Sequence, residues 1–193
     1  TVYVPLLFGR PGEFRTAANF LRACGSGDFD CHNAKSHGRI AAEMKALLTA
    51  IDAEAEGDGV NAIGMCLTGA LPLELIAIGA PVRAAVVAQP AIPFFRPTVI
   101  PLSDSALADV GRKNIPIIAT RFSEDRKSPR CRLELLEKAL GDQVTTIEID
   151  SKPGNPYGFT KESHAVLTSW YSDAQGHPTR NVLEQAIAIF RKD

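Results

Sequence analysis

What this chain lacks narrows its function first. No run of apolar residues approaches the roughly 20 needed for a membrane-spanning helix. Neither sign of charge dominates: 21 Lys and Arg stand against 22 Asp and Glu, a net charge of −1. Nucleic acid and anionic membranes are therefore disfavoured partners. Four cysteines in 193 residues are too few for a disulfide framework, and a cytoplasmic location is expected. No internal repeat or low-complexity tract is present. What is there is 45 % apolar, which argues against disorder. The length suits one domain, residues 1–193, with a substantial core.

Strand and helix patterns alternate along that length. Thr1–Leu7 reads as a strand already in progress, so the domain is expected to lack its N-terminal part. Residues 13–23 can form a short helix, and the polar segment Gly25–Gly38 is the candidate lid. At its edge and within it, Cys24 and Cys31 have the alternatives of bridging or of binding a metal with His32 and His37, but the spacing fits no compact zinc pattern and free thiols of a loop are the favoured reading. Ile40, Met44, Leu47, Leu48 and Ile51 mark one face of a helix over 39–55. Further strands are expected at 60–65, 82–88, 115–120 and 144–149. Helices are expected at 67–78, with Pro72 bending it, around 103–111, from Ser128-Pro129 to Gly141, and from Thr179 onward. Cys131, inside an amphipathic helix, reads as inert. The pattern implies an α/β fold with a mostly parallel sheet and helices on both faces.

The stretch Gly64-Met65-Cys66-Leu67-Thr68-Gly69 carries the chemistry. An apolar strand ends in glycine, a cysteine follows two residues later, and a helix pattern starts at once. This is the form of a nucleophile elbow, with thiol in place of hydroxyl. A helix N-terminus there favours a thiolate, and the Leu67 N–H points where an oxyanion would form. Thr68 stands where the strict pattern has glycine, with Gly69 one residue later. A buried structural cysteine is an equal reading of this motif alone. A phosphate-binding turn is disfavoured, since the spacing fits neither glycine-rich fingerprint.

Order strengthens the catalytic reading, because a nucleophile needs a base and the base an orienting acid. The strand at 115–120 leads into Ser123-Glu124-Asp125, where Asp125 is preferred over Glu124 and Asp150 is a weaker rival. The strand at 144–149 leads through a long Pro/Gly loop to His164. His177, before Pro178, reads as structural.

With these residues in place, the sequence resembles the dienelactone hydrolase family over most of its length. The resemblance rests on Gly64–Gly69, Ser123–Asp125 and Ser163-His164-Ala165. It implies an α/β-hydrolase fold and a Cys66–His164–Asp125 triad that opens small esters or lactones through an acyl-enzyme, with no metal or organic cofactor. Pro5-Leu6-Leu7-Phe8-Gly9-Arg10 resembles the family segment whose arginine holds a substrate carboxylate, which makes Arg10 the substrate-binding residue. A second family arginine, four residues after the histidine, is here Thr168, so the anionic dienelactone itself is not implied. The other oxyanion donor would lie upstream of Thr1. Its loss would cost about 2.7–4 kcal/mol of transition-state stabilisation. The alternative is a non-catalytic or redox-sensing thiol on a hydrolase scaffold.

Overall fold

The computed structural model describes residues 1–7, 18, 39–92 and 98–191. Arg10, the helix expected over 13–23, and the segment with Cys24, Cys31, His32 and His37 lie outside the described residues. Helix α1 is Arg39–Glu54 and buries Ile40, Ala41 and Ile51, as its apolar stripe requires. Four strands follow: β1 (Val60–Met65), β2 (Val82–Ala88), β3 (Ile117–Phe122) and β4 (Val144–Ile149). They pair in the order β1-β2-β3-β4, all parallel. The crossovers carry α2 (Leu71–Ala77), α3 (Asp104–Lys113) and α4 (Arg130–Leu140), and α5 (Pro178–Phe190) closes the chain.

Both faces of the sheet are covered, and β2 shows how. Its side chains alternate between the faces. Ala85 and Val87 join a core with Leu73 and Ile76 of α2, Val110 of α3, and Leu133 and Leu136 of α4. Val86 and Ala88 face the other way, onto Ile118 and Ala186 of α5. Full burial of a Leu or Ile contributes about 1.5–3 kcal/mol. Such residues hold the strands' C-terminal ends in one row, and the turns beyond that row carry the candidate site.

Several expected boundaries move for identifiable reasons. The third strand begins at Ile117 because Pro116 has no N–H to give the ladder; its carbonyl still accepts from Ala85 N–H at 3.1 Å. The single helix expected over 67–78 is split into a 3₁₀ turn, Cys66–Thr68, and α2. Pro72 therefore lies in the first turn of α2, where a missing N–H costs nothing, and it bends no helix. Pro129 is the N-cap of α4 rather than its first helical residue. Thr1–Leu7 is not a strand. Val2 and Val4 are exposed, and Tyr3 reaches Glu54 through its hydroxyl at 3.5 Å. A strand needs a neighbouring backbone to pair with, and no such pairing involves this segment among the described residues.

Candidate active site

Cys66 follows the last residue of β1 with a φ of 54°. A non-glycine residue in that left-handed region is strained and persists where its surroundings enforce it. Three features enforce it here. The Thr68 hydroxyl donates to the Met65 carbonyl at 3.0 Å and accepts from the Met65 N–H at 3.1 Å, strapping the turn shut. The Cys66 carbonyl accepts from Gly69 N–H and Ala91 N–H, both at 3.0 Å. Close packing completes the set: a Cβ on Gly64 would lie 2.1 Å from the Thr68 carbonyl oxygen, and one on Gly69 would lie 2.5 Å from Pro90 Cα. The second glycine of the elbow is thus needed at 69, where the turn meets Pro90, and position 68 is free to carry the strap.

The split helix changes one electrostatic expectation. Cys66 opens a three-residue 3₁₀ turn, and α2 begins five residues later. Dipole effects fade beyond one turn, so the field of α2 reaches Cys66 less than a continuous helix would. The Leu67 N–H lies in the first turn, where a helical N–H has no partner within the turn itself.

Asp125 lies in the turn after β3. It is 2 % exposed, while Glu124 beside it and Asp150 after β4 are exposed. Asp125 divides its two oxygens: Oδ1 accepts from the Lys127 N–H at 2.9 Å and the Ser128 N–H at 3.4 Å. Oδ2 lies 2.6 Å from His164 Nδ1. The one carboxylate therefore both caps its own loop and contacts the histidine. Asp150 caps its own turn through Lys152 N–H at 3.1 Å.

His164 follows a turn that Ser163 closes twice, through its N–H to the Thr160 carbonyl at 2.9 Å and its hydroxyl from the Thr160 N–H at 3.0 Å. The His164 side chain is 13 % exposed. Burial is the largest influence on its proton affinity and lowers it. The Asp125 hydrogen bond, the approach of the Cys66 thiol and their electrostatic attraction outweigh burial, and the ring rises from 6.5 to about 9. Nε2 is buried without an aligned hydrogen-bond partner, although Cys66 is near enough to act on the ring. His177 is placed apart from this group: it caps α5 and contacts Thr179 Oγ1 through Nδ1 at 2.7 Å.

Some supporting residues were not legible in the sequence. Gln89, at the exit of β2, is buried with a φ of 36°, and its Oε1 accepts from the Val166 N–H at 3.4 Å, reaching the histidine loop. Ser151 accepts from Glu124 N–H and gives its own N–H to Ser123 Oγ, each at 2.9 Å. This stitches the acid turn to the loop that leads to His164. Asn155 folds that loop, accepting from Tyr157 and Phe159 N–H groups at 3.1 and 3.0 Å. A buried polar residue among apolar neighbours is the signal that could have found Gln89; the serines carry none. A groove of about 280 Å³ along β4, near Tyr157 and Asn181, includes none of Cys66, Asp125 and His164. Among the described residues, no group of three or more His, Cys, Asp or Glu gathers as a metal site would, and no helix is long and apolar enough to cross a membrane.

With that geometry in view, comparison with known proteins is informative. The sequence profile described as the dienelactone hydrolase family matches residues 2–192. No curated protein matches the chain in sequence. Among solved structures, a thermostable esterase is similar with a TM-score of 0.52 and 14 % identity over 76 % of this chain and 36 % of that one. A dienelactone hydrolase candidate from Klebsiella pneumoniae gives 0.51 and 15 % over 79 % and 62 %. A puromycin hydrolase gives 0.51 and 13 % over 82 % and 28 %. The chain thus spans less than two thirds of each of these proteins, and at such identities the likeness is one of fold.

Proposed function

Because this chain belongs to the dienelactone hydrolase family, we propose that it hydrolyses small esters or lactones through Cys66, His164 and Asp125. The observation that carries this reading is the 2.6 Å Asp125–His164 contact beside a cysteine held at φ 54°. Nδ1 is tied to the carboxylate, so Nε2 is the ring atom left for the thiol. A ring that keeps its proton up to about pH 9 stands as an imidazolium at neutral pH, so the thiol proton passes to it before attack and the sulfur attacks as the paired thiolate.

In this mechanism the Cys66 sulfur, its proton already on His164, bonds to the substrate carbonyl carbon as a thiolate. The carbonyl oxygen, now negative, receives a hydrogen bond from Leu67 N–H. Collapse of the tetrahedral species breaks the bond to the alcohol oxygen, and His164 protonates it. The thioester is then attacked by water, with His164 as base, releasing the acid and restoring the thiol. In a lactone the alcohol and acid remain one molecule. Arg10 is the proposed partner of a substrate carboxylate. Thr168, exposed in the loop, supplies no second cation.

Incubation with p-nitrophenyl acetate tests the reading. Wild type should gain the mass of one acetyl group at Cys66 and release nitrophenol, and Cys66→Ala should do neither. Equal hydrolysis by both proteins, with no adduct on wild type, would overturn it.

A further inference from the structure

Arg132 occupies a place where a charge is hard to keep. It lies on the apolar side of α4 with Leu133, Leu136 and Leu140, and is 1 % exposed. A methionine of similar length would fill that space without the penalty of burying an ion. Among the guanidinium's contacts are two to backbone carbonyls, one on the Cys66 side of the site and one on the Asp125 side. Nη1 donates to the Pro90 carbonyl at 2.5 Å and to the Lys127 carbonyl at 3.3 Å.

Each contact leads to one member of the site. Pro90 packs against Gly69, and the next residue, Ala91, donates from its N–H to the Cys66 carbonyl at 3.0 Å. Lys127 donates from its N–H to Asp125 Oδ1 at 2.9 Å. We propose that Arg132 is a positioning residue: resting on the triad reading above, its guanidinium locks the Asp125 turn in register with the peptide corner that supports Cys66. Arg121 works on the same turn from β3, donating to the carbonyls of Ser128, Ser123 and Asp125 at 2.6, 2.9 and 3.1 Å. Arg121 shapes the turn but does not join it to the elbow. Both contacts come from one terminal nitrogen, Nη1, whose two N–H groups are held in the guanidinium plane and so fix the direction between the two carbonyls.

The charge has a second consequence. The groups acting on this guanidinium are Cys131 on its own helix and Asp125 across the turn. Burial lowers its proton affinity, and both of these raise it. Beyond Asp125 stand His164 and Cys66. A positive charge behind Asp125 offsets part of the pull that Asp125 exerts on the His164 proton. Removing it should raise the pH at which His164 gives up its proton.

Arg132→Met and Arg132→Lys, made in the full chain, test this. Hydrolysis of p-nitrophenyl acetate is measured, and the His164 ring C–H protons are followed by NMR against pH. For Arg132→Met, kcat should fall about tenfold or more with KM within about twofold, and the His164 midpoint should rise by roughly half a pH unit or more. Arg132→Lys keeps the charge on a shorter side chain without the planar Nη1 that meets both carbonyls, so kcat should fall with the midpoint unmoved. A folded Arg132→Met with wild-type kcat overturns the proposal. So does a loss of kcat and melting temperature together with a fixed midpoint, which is what a purely structural role predicts. If Arg132→Met does not fold, Arg132→Lys decides: wild-type kcat there overturns the proposal, and reduced kcat at an unchanged midpoint supports it. Cys66→Ala separates the two readings. Equal rates with and without Cys66 overturn the triad itself, whereas a Cys66-dependent rate indifferent to Arg132 overturns only the role of Arg132.

Discussion

Burial pushes His164 down while Asp125 and Cys66 pull it up, so its behaviour reports on both neighbours at once. Its titration, followed by NMR of the ring C–H protons, should centre near pH 9 in wild type. Cys66→Ala removes one raising influence and should lower the midpoint. Asp125→Asn removes the stronger one and should lower it further; a midpoint indifferent to Asp125 would contradict the geometry. Stability follows the same sign. The folded ring holds its proton more tightly than the unfolded one, so its contribution is fully present below pH 6.5 and is lost as pH rises through about 9. The urea midpoint should decline across that window, and His164→Ala should flatten the decline. At this scale Cys66, Asp125 and His164 were legible in the sequence because each follows a strand in the order the chemistry needs. Asp125 was separable from Glu124 only weakly, since one residue of register decides which carboxylate turns inward. The burial of Asp125 settles which one does.

The elbow is held by local geometry that can be tested piece by piece. Gly64→Ala would place a Cβ 2.1 Å from the Thr68 carbonyl oxygen. Backbone must then move, so a loss of about 2–3 kcal/mol is expected by urea denaturation. Thr68→Val keeps the shape and removes the hydroxyl that serves both polar groups of Met65. It should cost about 1–2 kcal/mol and lower the rate of Cys66 acylation; acylation at the wild-type rate would show that the strap does not support the nucleophile. Elements were legible where periodicity was strong, as in α1, β2 and β4, whose ranges match their apolar patterns. The break between the 3₁₀ turn and α2 was not, because Leu67, Leu71 and Leu75 continue a helical stripe across it. The break follows from two close approaches, of Gly64 to the turn and of Gly69 to Pro90, and neither neighbour is adjacent in sequence.

Across the molecule, the core and the site are separable. Ile117 is 1 % exposed at the start of β3, the end of the sheet away from Asp125. Ile117→Ala should cost about 2–5 kcal/mol in unfolding free energy while the folded protein acylates Cys66 at the wild-type rate. A fall in both would mean that core packing tunes the site directly. The sequence by itself determined the alternation of strands and helices, and hence a parallel α/β sheet. Apolar period and turn residues act locally, and a crossover helix forces neighbouring strands to run parallel. It also determined which three side chains stand beyond the strand ends. Only the tertiary structure decided that Arg132 bridges Pro90 and Lys127, and that Gln89 reaches Val166. Their partners lie 42 residues away for the Arg132–Pro90 contact and 77 for Gln89–Val166. Hydrogen bonds over such spans depend on how the sheet stacks its connections, and no local pattern encodes that.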